Sequence, residues 1–244
     1  MHLMNRVIFL RPLVGVFLGL SVLGLTLAAS AVEFTPPKRS IPGRREGLGT
    51  RGPACVQSLP MLTVLLPQTN IGFTTSEYPQ FYWYVPKTRA KLLKFALYKG
   101  GDSDVDRETI YETILDTPKN PGIVRLPLPK EASVPPLEVD QEYYWTVTLL
   151  CNPDNPINDV YAGGWIQRVK METALTNQLS KVKPDDRVKF YAQNGIWFDT
   201  VTALADLRCT HPKDSSLVRS WAQLLKSVKL DKIAQQPLNQ KCSR

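Results

Sequence analysis

Residues 137–151 read LEVDQEYYWTVTLLC. From Tyr143 onward the run alternates. Tyr143, Trp145, Val147 and Leu149 fall on one face, and Tyr144, Thr146, Thr148 and Leu150 on the other. A period of two in aromatic and β-branched residues predicts a central, well-covered strand. Leu137, six residues before Tyr143 and across an acidic turn, fits a tyrosine corner. In such a corner a buried tyrosine hydroxyl bonds backbone just upstream and fixes the strand's entry into a β-sandwich. The strand ends on Cys151, placed to tie it to a distant segment.

Working outward, short apolar runs recur at 62–66, 81–85, 92–98, 110–115, 123–128, 143–151 and 163–169. Pro67, Pro86 and Pro129 each close one of them, as residues that cannot extend a ladder should. Lys99-Gly100-Gly101-Asp102 is a turn, and Asn152-Pro153-Asp154-Asn155-Pro156 opens a longer loop. Seven short strands with such punctuation predict an antiparallel sandwich of fibronectin-III or immunoglobulin type over residues 54–170.

From Glu172 the period changes to that of a helix. Leu217, Trp221, Leu224, Leu225 and Val228 share one face, and Ile196, Thr200, Ala203, Leu204 and Leu207 repeat the spacing. Asp214 is placed to cap the second of these helices. Shorter helices are expected from Pro184 to Gln193 and over 172–180. The fold class is therefore α+β, mainly β, with a helical hairpin subdomain at 171–235 and a tail at 236–244.

The N-terminus reads as an address. Arg6 and Arg11 precede an uncharged apolar run at 13–27, and Ala29-Ser30-Ala31 is a small-x-small cleavage site. Together they predict a secretory signal peptide over 1–31. Residues 32–53, VEFTPPKRSIPGRREGLGTRGP, are rich in Pro, Gly and Arg, and predict a disordered basic linker. Cys55, Cys151, Cys209 and Cys242 are even in number, with no C-x-x-C spacing. In an oxidising compartment they predict two structural disulfides. The expected pairs are Cys55–Cys151 and Cys209–Cys242.

Charge is uneven along the chain. Residues 52–167 hold 9 Lys and Arg against 13 Asp and Glu, whereas residues 168–244 hold 14 against 7. The basic residues are scattered, as on a solvated helical surface, and no nucleic-acid partner is expected. Membrane contact is expected only through the signal segment.

No catalytic set emerges. Beyond the signal segment the one histidine is His211, in a turn beside a proline. No G-x-S-x-G, H-E-x-x-H or P-loop is present. Asp102, Asp104, Asp106 and Glu108 alternate in GGDSDVDRE, but the full calcium-loop pattern is absent. The expectation is a non-catalytic protein with no cofactor and no metal. Aromatic residues are the remaining binding candidates: Tyr82 and Tyr84 opposite Phe81 and Trp83, together with Tyr144 and Trp165. They would serve a sugar or partner if they lie on an open face, and would be core if helices cover them.

The strings LTVLLPQTNIGFTTSEYPQFYWYVP, LKFALYKGG, IYETIL, GIVRLPLP, YYWTVTLLC, GWIQRV and NGIWFDTVTALADLR, in that order, resemble a family of secreted cyanobacterial proteins known only as a domain of unknown function. The resemblance spans residues 55–230. It implies an extracytoplasmic protein without an established activity, and it carries over no catalytic or binding residue. The expected role is a secreted or periplasmic module that binds a partner protein. The alternative is binding of carbohydrate or cell-envelope polymer through an exposed aromatic face.

Overall fold

A computed structural model describes residues 32–47, 55–56, 59–100, 107–131, 133–152 and 155–239. The expected signal segment, Asp102, Asp104, Asp106 and Cys242 lie outside the described residues. No helix among the described residues is long and apolar enough to cross a membrane.

Among the described residues nine strands form two sheets. Strands β1 (Thr63–Val64), β3 (Gln80–Val85), β6 (Gly122–Pro127) and β9 (Leu238–Asn239) make the smaller, in that order. The larger runs β2 (Ile71–Thr74), β8 (Val160–Arg168), β7 (Glu142–Leu150), β4 (Leu92–Lys99) and β5 (Glu108–Asp116). Two strands exceed the expected seven. Both β2 and β9 pair in parallel, with β8 and β6 respectively, so the sandwich is mixed rather than wholly antiparallel. Neither is long enough to show a period. β2 is the four-residue IGFT, and β9 is two residues of the expected tail.

The core lies between the sheets. Phe81 packs on Phe95 (4.9 Å between ring centroids) and on Trp145 (5.0 Å). Tyr143 closes one end: its hydroxyl accepts from the Glu138 N–H at 2.9 Å, beside the buried Leu137. Burying each of these large side chains stabilises the fold by roughly 1.5–3 kcal/mol.

Among the described residues the helices α1 (Thr173–Leu179), α2 (Arg187–Gln193), α3 (Trp197–Thr210) and α4 (Ser215–Ser227) follow. Asp214 caps α4, accepting from the Ser216 N–H at 2.8 Å. The longer helices cover the outer face of the smaller sheet. Tyr82 faces Trp221 of α4, and Arg125 of β6 pairs with Asp206 of α3 at 2.6 Å. Trp197 Nε1 donates to Leu65 O at 2.8 Å. This cover explains why β3 is apolar on both faces.

The expected disordered linker is corrected for residues 32–47. They form an ordered arm. Phe34 is buried edge-on against Trp197, 4.8 Å away. Backbone bonds run from Ile41 N to Thr69 O (2.9 Å), Gly163 N to Arg44 O (2.7 Å) and Gly47 N to Leu62 O (2.7 Å). A stretch poor in apolar residues is thus held mainly by backbone pairing, which composition does not report.

Cys55 and Cys151 form a disulfide, with S–S 2.00 Å. Cys209 is also disulfide-bonded.

Candidate binding groove

The four aromatic candidates divide into two pairs. Tyr82 and Tyr84 are 2% and 3% exposed, on the face of β3 that the helices cover. They are core, and their assignment as binding residues is corrected. Tyr144 and Trp165 lie on the opposite side of the molecule's sandwich, on the outer face of the larger sheet, where Tyr144 is half-buried and Trp165 is itself only 6% exposed.

Strand register builds a groove there. Tyr98, Tyr144 and Trp165 are neighbours across β4, β7 and β8. The next outward row is Ala96, Thr146 and Gly163, and the one after it Lys94, Thr148 and Tyr161. Large rings therefore flank a floor of small residues. The resulting cavity is about 770 Å³, and Ile41, Pro42 and Gly43 of the arm close one side. Gly163 is required in this floor: a Cβ would stand 2.6 Å from Trp145 O and 2.9 Å from the Tyr144 hydroxyl oxygen. The glycine lets the Tyr144 hydroxyl lie against strand β8.

The rings are held. Tyr144 and Trp165 meet at 5.2 Å, and Trp165 Nε1 donates to Pro42 O at 3.3 Å. The Arg107 guanidinium carbon lies 4.1 Å from the Tyr144 centroid and 5.6 Å from that of Trp165. Arg44 lies 4.8 Å from the ring of Tyr161, itself 40% exposed. Cations in these positions are attracted by the ring faces. Among the described residues that line the groove, Arg107 is the charged one.

The model of the family described as Domain of Unknown Function (DUF928) matches residues 46–238. The chain belongs to that family. No curated protein matches it. Within the DUF928 span lie all the groove strands and Arg107; Pro42 and Arg44 of the arm lie before it.

A second cavity, about 570 Å³, lies among β3, α2 and α3 and holds His211, Asp199 and Asp206. Asp199 and Asp206 are committed to the fold. Asp199 accepts from Thr74 Oγ1 (2.7 Å), Thr75 N (3.2 Å) and Thr75 Oγ1 (2.6 Å). Burial pushes its carboxyl above the usual carboxylate range, against the pull of those bonds. Asp206 pairs with Arg125, and His211 Nδ1 lies 2.9 Å from Thr210 Oγ1. Among the described residues no three His, Cys, Asp or Glu could together hold a metal ion.

Sequence reasoning missed Tyr98, Tyr161, Arg44 and Arg107. Tyr98 and Tyr161 had a usable signal, since each lies at an outward position of its strand. The arginines had none, because only the fold brings them to the rings.

Proposed function

We propose that this chain is a non-catalytic binding module that works outside the cytoplasm, in the periplasm or secreted from a cyanobacterial cell after removal of residues 1–31. The Cys55–Cys151 disulfide supports that compartment, since such bonds persist where conditions oxidise. The ligand we favour is a carbohydrate or cell-envelope polymer, held in the outer groove of the larger sheet. The observation that carries this reading is the row Tyr98, Tyr144 and Trp165 beside the hydroxyls of Thr146 and Thr148. Binding sites combine apolar and aromatic walls with a few placed polar groups, as this one does.

A protein partner has separate support in β5. This nine-residue strand is the edge of the larger sheet, with Ile114 55% exposed. Such an edge can accept a further strand.

Both readings meet in one experiment. Oxidised protein from residue 32 onward is immobilised and exposed to glycans and to extracytoplasmic proteins. Glycan retention that falls about tenfold with Tyr144→Ala supports the groove, a change of about 1.4 kcal/mol. Retention that survives Tyr144→Ala overturns it, and capture of protein alone transfers the role to β5.

A further inference from the structure

We infer that the edge of β5 takes a strand from a partner protein, and that this strand sets one Lys or Arg opposite Glu112, another opposite Asp116, and an aliphatic residue between them opposite Ile114. This rests on the β5 reading above and names the chemistry of the partner. It is independent of the groove.

The core supplies the first step. Among the described residues β5 pairs with β4 alone, so every second residue turns its N–H and C=O to the other side. On the inward face Tyr111, Thr113 and Leu115 stand opposite Leu97, Phe95 and Leu93 of β4. Those three β4 residues are buried, whereas Tyr111, Thr113 and Leu115 stay partly exposed. In the central strand β7 the inward residues Tyr143, Trp145, Val147 and Leu149 are all buried. The core therefore runs out at β5 with apolar surface uncovered. One more strand would cover it and pair the outward backbone groups.

The outer face supplies the second. Past an irregularity opposite Leu97 and Tyr98, residues 111–116 pair regularly with β4, and Glu112, Ile114 and Asp116 alternate outward. All three are exposed, Ile114 by 55%. Glu112 meets Lys94 at 3.3 Å, but its side chain is 44% exposed, and a carboxylate accepts more than one donor. An entering strand thus meets acid, isoleucine and acid at alternate positions. Side chains directly opposed on one face of a sheet set the preference, since opposite charges and aliphatic pairs attract and like charges repel.

The same rule disfavours a second copy as the occupant. The antiparallel register that sets Ile114 against its own copy sets Glu112 against Asp116 twice. A shift of two residues leaves Ile114 facing a carboxylate. In parallel register each acid faces itself.

The test uses oxidised protein from residue 32 onward and dye-labelled peptides, read by fluorescence anisotropy and by hydrogen exchange at the β5 amides. The peptides are Ser-Lys-Val-Ile-Val-Lys-Ser, its acidic form with Glu in both Lys positions, and the shuffled Ser-Lys-Lys-Val-Ile-Val-Ser. Shuffling keeps charge and composition but turns the two lysines to opposite faces. We expect the first to bind about tenfold tighter than the others, as two cross-strand ion pairs allow, and to slow exchange in β5. Glu112→Lys with Asp116→Lys should reverse the preference toward the acidic peptide. Glu131→Lys with Glu172→Lys, outside the larger sheet, should leave the order unchanged. Equal binding of the first and the shuffled peptide overturns the inference, since the attraction is then net charge alone. Exchange in β5 slowed alike by all the peptides overturns the charge rule and leaves the β5 edge reading standing. A native dimer that the β5 reversal dissolves makes a second copy the occupant and also overturns the inference. Exchange in β5 unchanged by every peptide overturns both the inference and the edge reading.

Discussion

The Arg45 guanidinium donates to the carbonyl oxygen of Val228 at 3.0 Å, although 183 positions separate the two residues. The same side chain donates to Leu66 O (3.1 Å) and Lys229 O (3.0 Å). The last carbonyls of a helix lack partners of their own, and a cation there also matches the helix dipole. Burial lowers the Arg45 pKa, with Glu46 opposing.

Arg45→Ala should therefore lower stability by about 1.5–3 kcal/mol, as partly buried bonds to a charged donor are lost. Arg45→Lys should recover less than half of this, because one ammonium cannot span three acceptors as the fork does. Urea unfolding of the three proteins measures it. Full recovery by lysine would show that charge rather than geometry holds the arm.

Tyr143→Phe keeps the ring in the core and removes only the acceptor for the Glu138 N–H. The expected loss is about 1–3 kcal/mol, the usual range for a buried donor left unsatisfied. The urea midpoint should fall with an unchanged slope. A midpoint equal to that of the native protein would mean that the corner bond contributes nothing.

Asp199 gives a pH dependence of definite sign. Its folded pKa is raised, so the folded state holds this proton to higher pH than the unfolded chain does. Its contribution to stability therefore falls as pH rises from ~4 through the raised value, and is flat beyond. Asp199→Asn removes the titration. Relative to the native protein, the variant should gain stability between pH 4 and pH 7 in paired urea melts. A relative loss would show that the bonds from Thr74 and Thr75 outweigh burial and hold the carboxyl low.

The Cys55–Cys151 bond joins residues 96 positions apart. Closing a loop of that size stabilises by about 4–5 kcal/mol in the chain-entropy account. Cys55→Ser with Cys151→Ser should lose much of that in thermal and urea melts. A loss under about 1 kcal/mol would show that the arm and strands already restrain the loop.

What the sequence disclosed follows from how each element is stabilised. β7 was legible because its inward and outward positions alternate along the whole strand. β3 was legible as a strand, but which face binds was not, since the cover over Tyr82 and Tyr84 comes from Trp221 and its neighbours, far along the chain. β2 was hidden by its length and by Gly72. A Cβ at Gly72 would meet the Phe198 ring at 2.7 Å, so the glycine marks the close approach of α3. The arm was misread because Phe34 is its main buried apolar residue and backbone bonds do the rest. In the groove, Tyr144 and Trp165 stood out as aromatic residues in strands, whereas Arg44 and Arg107 reach them only through tertiary structure.

The place of β9 sets the order in which this protein can be completed. Ile123 N donates to Pro237 O at 2.7 Å, and Leu238–Asn239 then line up beside β6. The N-terminal arm in turn waits for the end of α4. A chain growing from its N-terminus therefore holds the smaller sheet unfinished until Leu238 and Asn239 have been added. Contacts of such long sequence separation slow folding, because the closure entropy comes before the contacts that offset it. The arm and β9 are both fastened late, and the molecule acquires its final packing as a whole rather than in instalments.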